Sequence, residues 1–212
     1  MRAPPTLRGG LRLRLVLLTL GLVLFATGIV ALLEARLGLP PWDVLHQGIA
    51  EHTPLSFGGA NLVVSAAVLL LAWWLGAKVG LGTLANALGV GAFIVVLTSL
   101  GPVEALAGDP LAVRVGLLVG GLVLMGVGSG LYLGAALGAG PRDSLMVVGA
   151  ARTPFRIGLV RGAIELAALV CGIALGGTVG IGTVAFVILI GPSVEGSFWL
   201  LERSPLAATL EE

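Results

Sequence analysis

Charge and cysteine are what this chain has least of. Charged residues make up 11% of its 212 positions, where a soluble domain carries about a quarter, so no water-facing surface could be covered. Cysteine occurs once, at Cys171, which excludes an internal disulfide and any multi-cysteine metal site. The two histidines, His46 and His52, belong to no HExxH pattern and cannot complete a zinc site alone. A net charge of +1 leaves no basic face for nucleic acid. No phosphate loop, nucleophile elbow or dinucleotide fingerprint is present in a strand-to-helix setting, and Gly80-Leu81-Gly82 lies between apolar runs, as a helical turn does. These absences point away from an enzyme and from any bound cofactor.

What abounds is apolar. Hydrophobic residues reach 57%, and the mean hydropathy is +1.08. The 34 glycines and 4 tryptophans suit membrane helices, which tolerate Gly and place Trp at the interfaces. The expected class is an all-α membrane protein whose surroundings are the lipid bilayer.

The chain repeats itself. A shift of 100 residues aligns 11–91 with 111–191 without a gap, and 30 of those 81 positions are identical. Matching Leu and Gly would be common by chance in so apolar a chain, but the paired Pro41/Pro141, Asp43/Asp143, Thr53/Thr153 and Thr83/Thr183 would not. Each copy holds three apolar runs of the length, about 20 residues, that a bilayer requires. They lie near 13–35, 57–75 and 79–101, then 112–135, 157–176 and 181–200. The second and third runs of each copy are expected to form tight helical hairpins. The apolar 15–33 follows four arginines like a signal peptide, but its mate 115–133 lies in mid-chain, so a retained span is expected.

Three spans per copy imply opposite orientations. The reading is six transmembrane helices in two inverted three-helix repeats, 11–101 and 111–201, between cytoplasmic tails 1–10 and 202–212. The positive-inside rule agrees: with the N-terminus inside, Lys78, Arg142, Arg152, Arg156 and Arg203 fall inside, while the outside receives Arg36 and Arg114 near span ends and the acidic Glu104 and Asp109.

Between the first and second spans of each copy lies a segment too polar to cross. In copy one it runs from Leu39 to His52 and is expected to form a short helix. Pro41 suits its first position and Asp43 its first turn, and Thr53-Pro54 ends it. It is either an interfacial helix or a re-entrant half-helix lining a cavity. Trp42 is assigned to the outer interface and Trp73, Trp74 and Trp199 to the inner one. Charges inside spans are functional candidates by default. Glu165 lies roughly 12 Å into the fifth span at the helical rise, with Arg161 one turn earlier. Glu195, in the sixth span, is at a depth that permits an Arg161–Glu165–Glu195 cluster. Their copy-one mates Asn61, Ser65 and Val95 are neutral. Such a cluster pins the hairpin, or exchanges protons or contacts a cationic solute through one carboxylate, or faces lipid and snorkels to the interface. Asn86 is a candidate interhelical hydrogen-bonder or solute contact, and Asp43, His46 and Asp143 complete the candidate set.

The run Leu37-Gly38-Leu39-Pro40-Pro41-Trp42-Asp43-Val44-Leu45-His46-Gln47-Gly48, followed by Gly80-Leu81-Gly82-Thr83 and Asn86, resembles the YczE/YyaS/YitT family of bacterial integral membrane proteins. The resemblance covers almost the whole chain. It implies a multi-span protein of the bacterial inner (plasma) membrane and no settled activity. It also implies an acidic residue after Gly91-Ala92-Phe93-Ile94, where this chain has Val95 and, in the second copy, Glu195. The function expected is a small secondary transporter or permease for an unidentified small solute. The alternative is a non-transporting scaffold or regulatory accessory protein, and a homo-oligomer is compatible with either.

Overall fold

The structure, a computed structural model, describes residues 3–99 and 110–207. The expected end of the third span at Gly101, the acidic Glu104 and Asp109, and the outermost parts of both tails lie outside the described residues.

Among the described residues eight helices follow one another: α1 (Leu11–Ala35), α2 (Pro41–His52), α3 (Phe57–Trp74), α4 (Leu81–Ser99), α5 (Leu111–Gly134), α6 (Pro141–Arg152), α7 (Ile157–Ala174) and α8 (Ile181–Glu202). Six of them, all but α2 and α6, are long and apolar enough to cross a membrane. Among the described residues there is no strand, only one isolated antiparallel bridge between Leu7 and Ala207. The short helices begin where the sequence requires. Pro41 and Pro141 each occupy the first turn, where the missing N–H costs nothing, and Thr53 and Thr153 leave helical conformation ahead of a proline.

The centre of the molecule is the antiparallel crossing of α1 and α5. A Cβ added at Gly28 would lie 2.6 Å from the Gly121 carbonyl oxygen, and one at Gly21 would lie 2.8 Å from that of Gly128. Small residues there let the two backbones touch, which is how helices associate when lipid supplies no hydrophobic contrast. Around this crossing α4 packs on α1 and α8 on α5. The short helices lie across the other copy's second helix, α2 on α7 and α6 on α3.

Polar ties recur at the 100-residue shift. Arg14 Nε donates to the Ala135 carbonyl (2.6 Å), and Arg114 Nε donates to that of Ala35 (2.8 Å). The Gly82 N–H donates to the Leu137 carbonyl (2.7 Å), and the Gly182 N–H to that of Leu37 (2.8 Å). The described segments before α1 and after α8 meet at one end of the bundle, where Leu7 N–H bonds Gly134 and Arg8 N–H bonds Leu206. The α3–α4 turn with Lys78 sits at this same end. The α7–α8 turn lies at the other, beside Glu51.

Two expectations need correction. The copy-two pair α7 and α8 pack together along their length, but α3 and α4, joined by an equally short turn, do not form a tight hairpin. A Cβ on Gly191 would lie 2.3 Å from the Gly158 carbonyl oxygen, so α7 and α8 touch there, whereas the mates Gly58 and Gly91 have nothing within 4 Å; Ser193 and Ser197 hydroxyls further tie α8 to the Leu122 and Gly126 carbonyls of α5 (2.8 and 2.7 Å). Trp42 is not at an interface. It is 5% exposed, inside the protein.

A buried charged centre as candidate functional site

The first turns of α2 and α6 converge in the interior. The loop before α2 follows α1 past the start of α8, where Thr183 Oγ1 donates to the Leu39 carbonyl (2.7 Å), and then turns inward. Gly38, at φ +134, makes that turn while lying so close to Gly180 that a Cβ would sit 2.7 Å from its Cα. The corresponding loop before α6 passes Thr83 and Asn86. A Cβ on Gly140 would overlap the Asn86 amide, so Asn86 sits against the backbone at the start of α6.

These loops bring Trp42 and Arg142, which are repeat mates, face to face. The Arg142 guanidinium carbon lies 4.9 Å from the Trp42 ring centroid, within cation–π range. Burial pulls the Arg142 guanidinium below its usual range, while Asp43 and Glu165 nearby favour its charged form. Behind this pair lies a buried ion cluster. Arg161 donates through Nη1 to Asp143 Oδ1, and its Nε stands 2.9 Å from Glu165 Oε1. The Tyr132 hydroxyl donates to the other Asp143 oxygen and accepts the Gly140 N–H at 3.4 Å. Tyr132 and Glu165 are 0% exposed, and Arg161 and Asp143 are 3% exposed. The centre therefore carries two guanidinium groups and the carboxylates Asp43, Asp143 and Glu165. The Trp42 indole N–H faces Glu165 without a well-formed hydrogen bond.

Of the candidates read from sequence, Asp143, Arg161 and Glu165 meet directly. Glu195 lies near Arg156 (3.9 Å), and Asp143 joins Glu165 in direct contact with Arg161. Asp43 and His46 pair with each other on α2 (3.3 Å), and the buried His46 ring stands edge-on to Phe57. Asn61 and Ser65, mates of Arg161 and Glu165, bond to each other at 3.2 Å. Sequence reasoning missed Tyr132 and the Trp42–Arg142 contact. One signal was available for the first: Tyr132 is the only tyrosine, and its hydroxyl in an apolar span requires a partner. The second left no local signal, because it joins residues a hundred positions apart.

Helical spans enclosing buried charge and interrupted by half-length helices define a polytopic integral membrane protein. A model for a family of unknown function (DUF6198) matches residues 12–197, and the chain belongs to that family. It is 38% identical over 135 residues to an uncharacterized protein of Haemophilus influenzae, covering 61% of this chain and 60% of the relative. It is 34% identical over 136 residues to the uncharacterized membrane protein YczE of Bacillus subtilis, covering 63% of this chain and 61% of the relative. The chain thus spans about three fifths of these curated relatives. No solved structure matches it.

Proposed function

We propose that the chain is a small-solute permease built from two inverted-topology repeats, with no catalytic step. The observation that carries this reading is the convergence of two half-length helices, N-terminus first, on one buried charged centre. A helix N-terminus presents free N–H groups and the positive end of its dipole. Broken helices of this kind hold solutes near the midplane in inverted-repeat transporters, so the warrant is partly one of architecture.

The repeat arrangement is supported by contacts that survive exchange of residue i with i+100. Arg14 to Ala135 becomes Arg114 to Ala35, and Gly82 to Leu137 becomes Gly182 to Leu37. A two-fold axis would produce such exchange, and the antiparallel crossing of α1 and α5 supports an axis lying in the membrane plane. The end holding Arg8, Leu206, Lys78 and Arg152 is the cytoplasmic one by the positive-inside rule, in a bacterial inner membrane. On this reading α2 and α6 are re-entrant, entering from opposite faces.

The test is a solute screen by thermal shift on the purified full chain, followed by uptake into liposomes. The expected result is a solute that raises the melting temperature and enters liposomes, with Arg142→Gln lowering uptake at least tenfold at unchanged folding. If no solute binds or moves while one partner protein co-purifies stably, the chain is an accessory protein instead.

A further inference from the structure

The two half-helices are not docked alike, and the difference lies in residues related by the repeat. On the Glu51 side α2 closes against the end of α7. Gln47 Oε1 accepts from the Thr178 backbone N–H (3.0 Å) and hydroxyl (2.8 Å). A Cβ on Gly177 would lie 2.3 Å from the Val44 carbonyl oxygen, one on Gly48 would lie 2.6 Å from Leu175 Cβ, and one on Gly172 would lie 2.6 Å from Leu45 N. Three missing Cβ atoms thus let this seam shut.

On the Lys78 side the mates of those three glycines are Ala77, Val148 and Ala72, and the mates of Gln47 and Thr178 are Val147 and Lys78, which offer no equivalent bond. Here α6 stands off from the α3–α4 turn, leaving a cavity of about 340 Å³ lined by Ala77, Lys78, Ser144, Val147, Val148 and Ala151 among others. Ser144, in its lining, is next in the chain to Asp143. Pockets for small molecules begin at about 300 Å³.

We propose that the charged centre is reached from the Lys78 side through this cavity, and that the α2–α7 seam is the closed gate of the opposite route, held by the Gln47–Thr178 bonds. The proposal rests on the permease reading for what passes, but the access pattern it asserts can be measured without a solute. A permease needs one route shut while the other is open, and side chains at matched positions supply that inequality.

The experiment places single cysteines at Ser144 and at its mate Val44 in a Cys171→Ser background of the full chain. A charged, membrane-impermeant methanethiosulfonate is applied to right-side-out and inside-out vesicles. Ser144→Cys is expected to react from the Lys78 side alone, and Val44→Cys from neither. Adding Gln47→Val, the residue at its mate position, should speed modification of Val44→Cys from the Glu51 side at least tenfold; Gly48→Val is a second, stronger wedge. Equal rates at 44 and 144, or modification of 144 from the Glu51 side, would overturn the proposal. Expected labelling in a chain that moves no solute would sink the permease reading and leave one-sided access standing. Uptake with equal labelling would sink this inference alone.

Discussion

Arg161→Met isolates the electrostatics of the buried centre, because methionine keeps much of the side-chain length and removes the charge. Arg161 is 3% exposed and serves Asp143 and Glu165 at once, so its loss leaves two carboxylates in the interior with no cation in contact. Breaking a buried ion pair costs about 3–5 kcal/mol, most of it the penalty of the orphaned charge. At about 2–4 °C per kcal/mol for a chain of this size, the melting temperature should fall by about 6–20 °C. The triple change Arg161→Met, Asp143→Asn, Glu165→Met removes all three charges, leaves an amide oxygen to accept from Tyr132, and should recover most of that loss, since replacing a buried ion cluster by uncharged side chains is often close to neutral. The assay is thermal unfolding in detergent, followed by tryptophan fluorescence and by the monodisperse fraction that survives heating. An Arg161→Met variant melting within about 2 °C of the parent would refute the reasoning: the guanidinium would then reach the headgroups and contribute nothing between the carboxylates.

Gly28→Ala should destabilise by about 1–3 kcal/mol, because its Cβ would meet the Gly121 carbonyl and Met125, whereas Gly116→Ala, with open space beside it, should be neutral or slightly stabilising; parallel melting curves distinguish the two. Thr183→Val should cost about 1–2 kcal/mol and exceed Thr83→Val, since Thr183 caps α8 through the Gly180 N–H and also holds the Leu39 carbonyl; equal losses would show that the Leu39 tie is idle. Single cysteines in 36–56 and 136–156 should react with an impermeant maleimide from opposite faces of the membrane. Reaction of both from one face would end the inverted-repeat reading.

The spans and the short helices were legible because their causes are local. Apolar length marks a crossing segment, and Pro41 and Pro141 with Thr53 and Thr153 bracket the segments that do not cross. The close crossing of α1 and α5 was half legible. Gly21, Gly28, Gly121 and Gly128 announce tight packing without naming the partner. What stayed hidden was pairing at long range. A membrane helix is apolar on every side, so its sequence does not reveal which face turns inward, and nothing near Trp42 distinguishes an interfacial tryptophan from one stacked on Arg142. The divergence of α3 from α4 was hidden for a related reason. Loop length limits how far apart two helices begin without deciding whether they stay together: Gly158 and Gly191 meet across α7 and α8, while their mates Gly58 and Gly91 meet nothing within 4 Å. Arg161 and Glu165 were visible as intramembrane charges, but Asp143 lies in a different helix, so its contact with Arg161 depends on how α6 enters.

The duplicated aspartates offer the sharpest comparison of the two halves. Asp43 and Asp143 occupy the same position in the first turns of matched helices, yet their surroundings have diverged. Asp143 is held by Arg161 and Tyr132, and its side chain is 5% exposed. At the mates of those partners copy one has Asn61 and Leu32, so Asp43 relies on His46 at 3.3 Å and leaves its side chain 20% exposed. A carboxylate clamped by a guanidinium and a phenol is suited to fixing the helix start. One facing a histidine, with part of its surface open, is suited to exchanging partners. Asp143→Asn should therefore lower stability by about 1–3 kcal/mol, because a charged hydrogen-bond acceptor for Arg161 is lost in the interior. Asp43→Asn should cost less than about 1 kcal/mol, as for a partly exposed pair, but should abolish any solute-induced thermal shift. Melting both variants with and without the solute found in the screen separates the roles. If Asp43→Asn melts as far below the parent as Asp143→Asn, the two carboxylates are equally structural and the exchangeable one must be sought at Glu165.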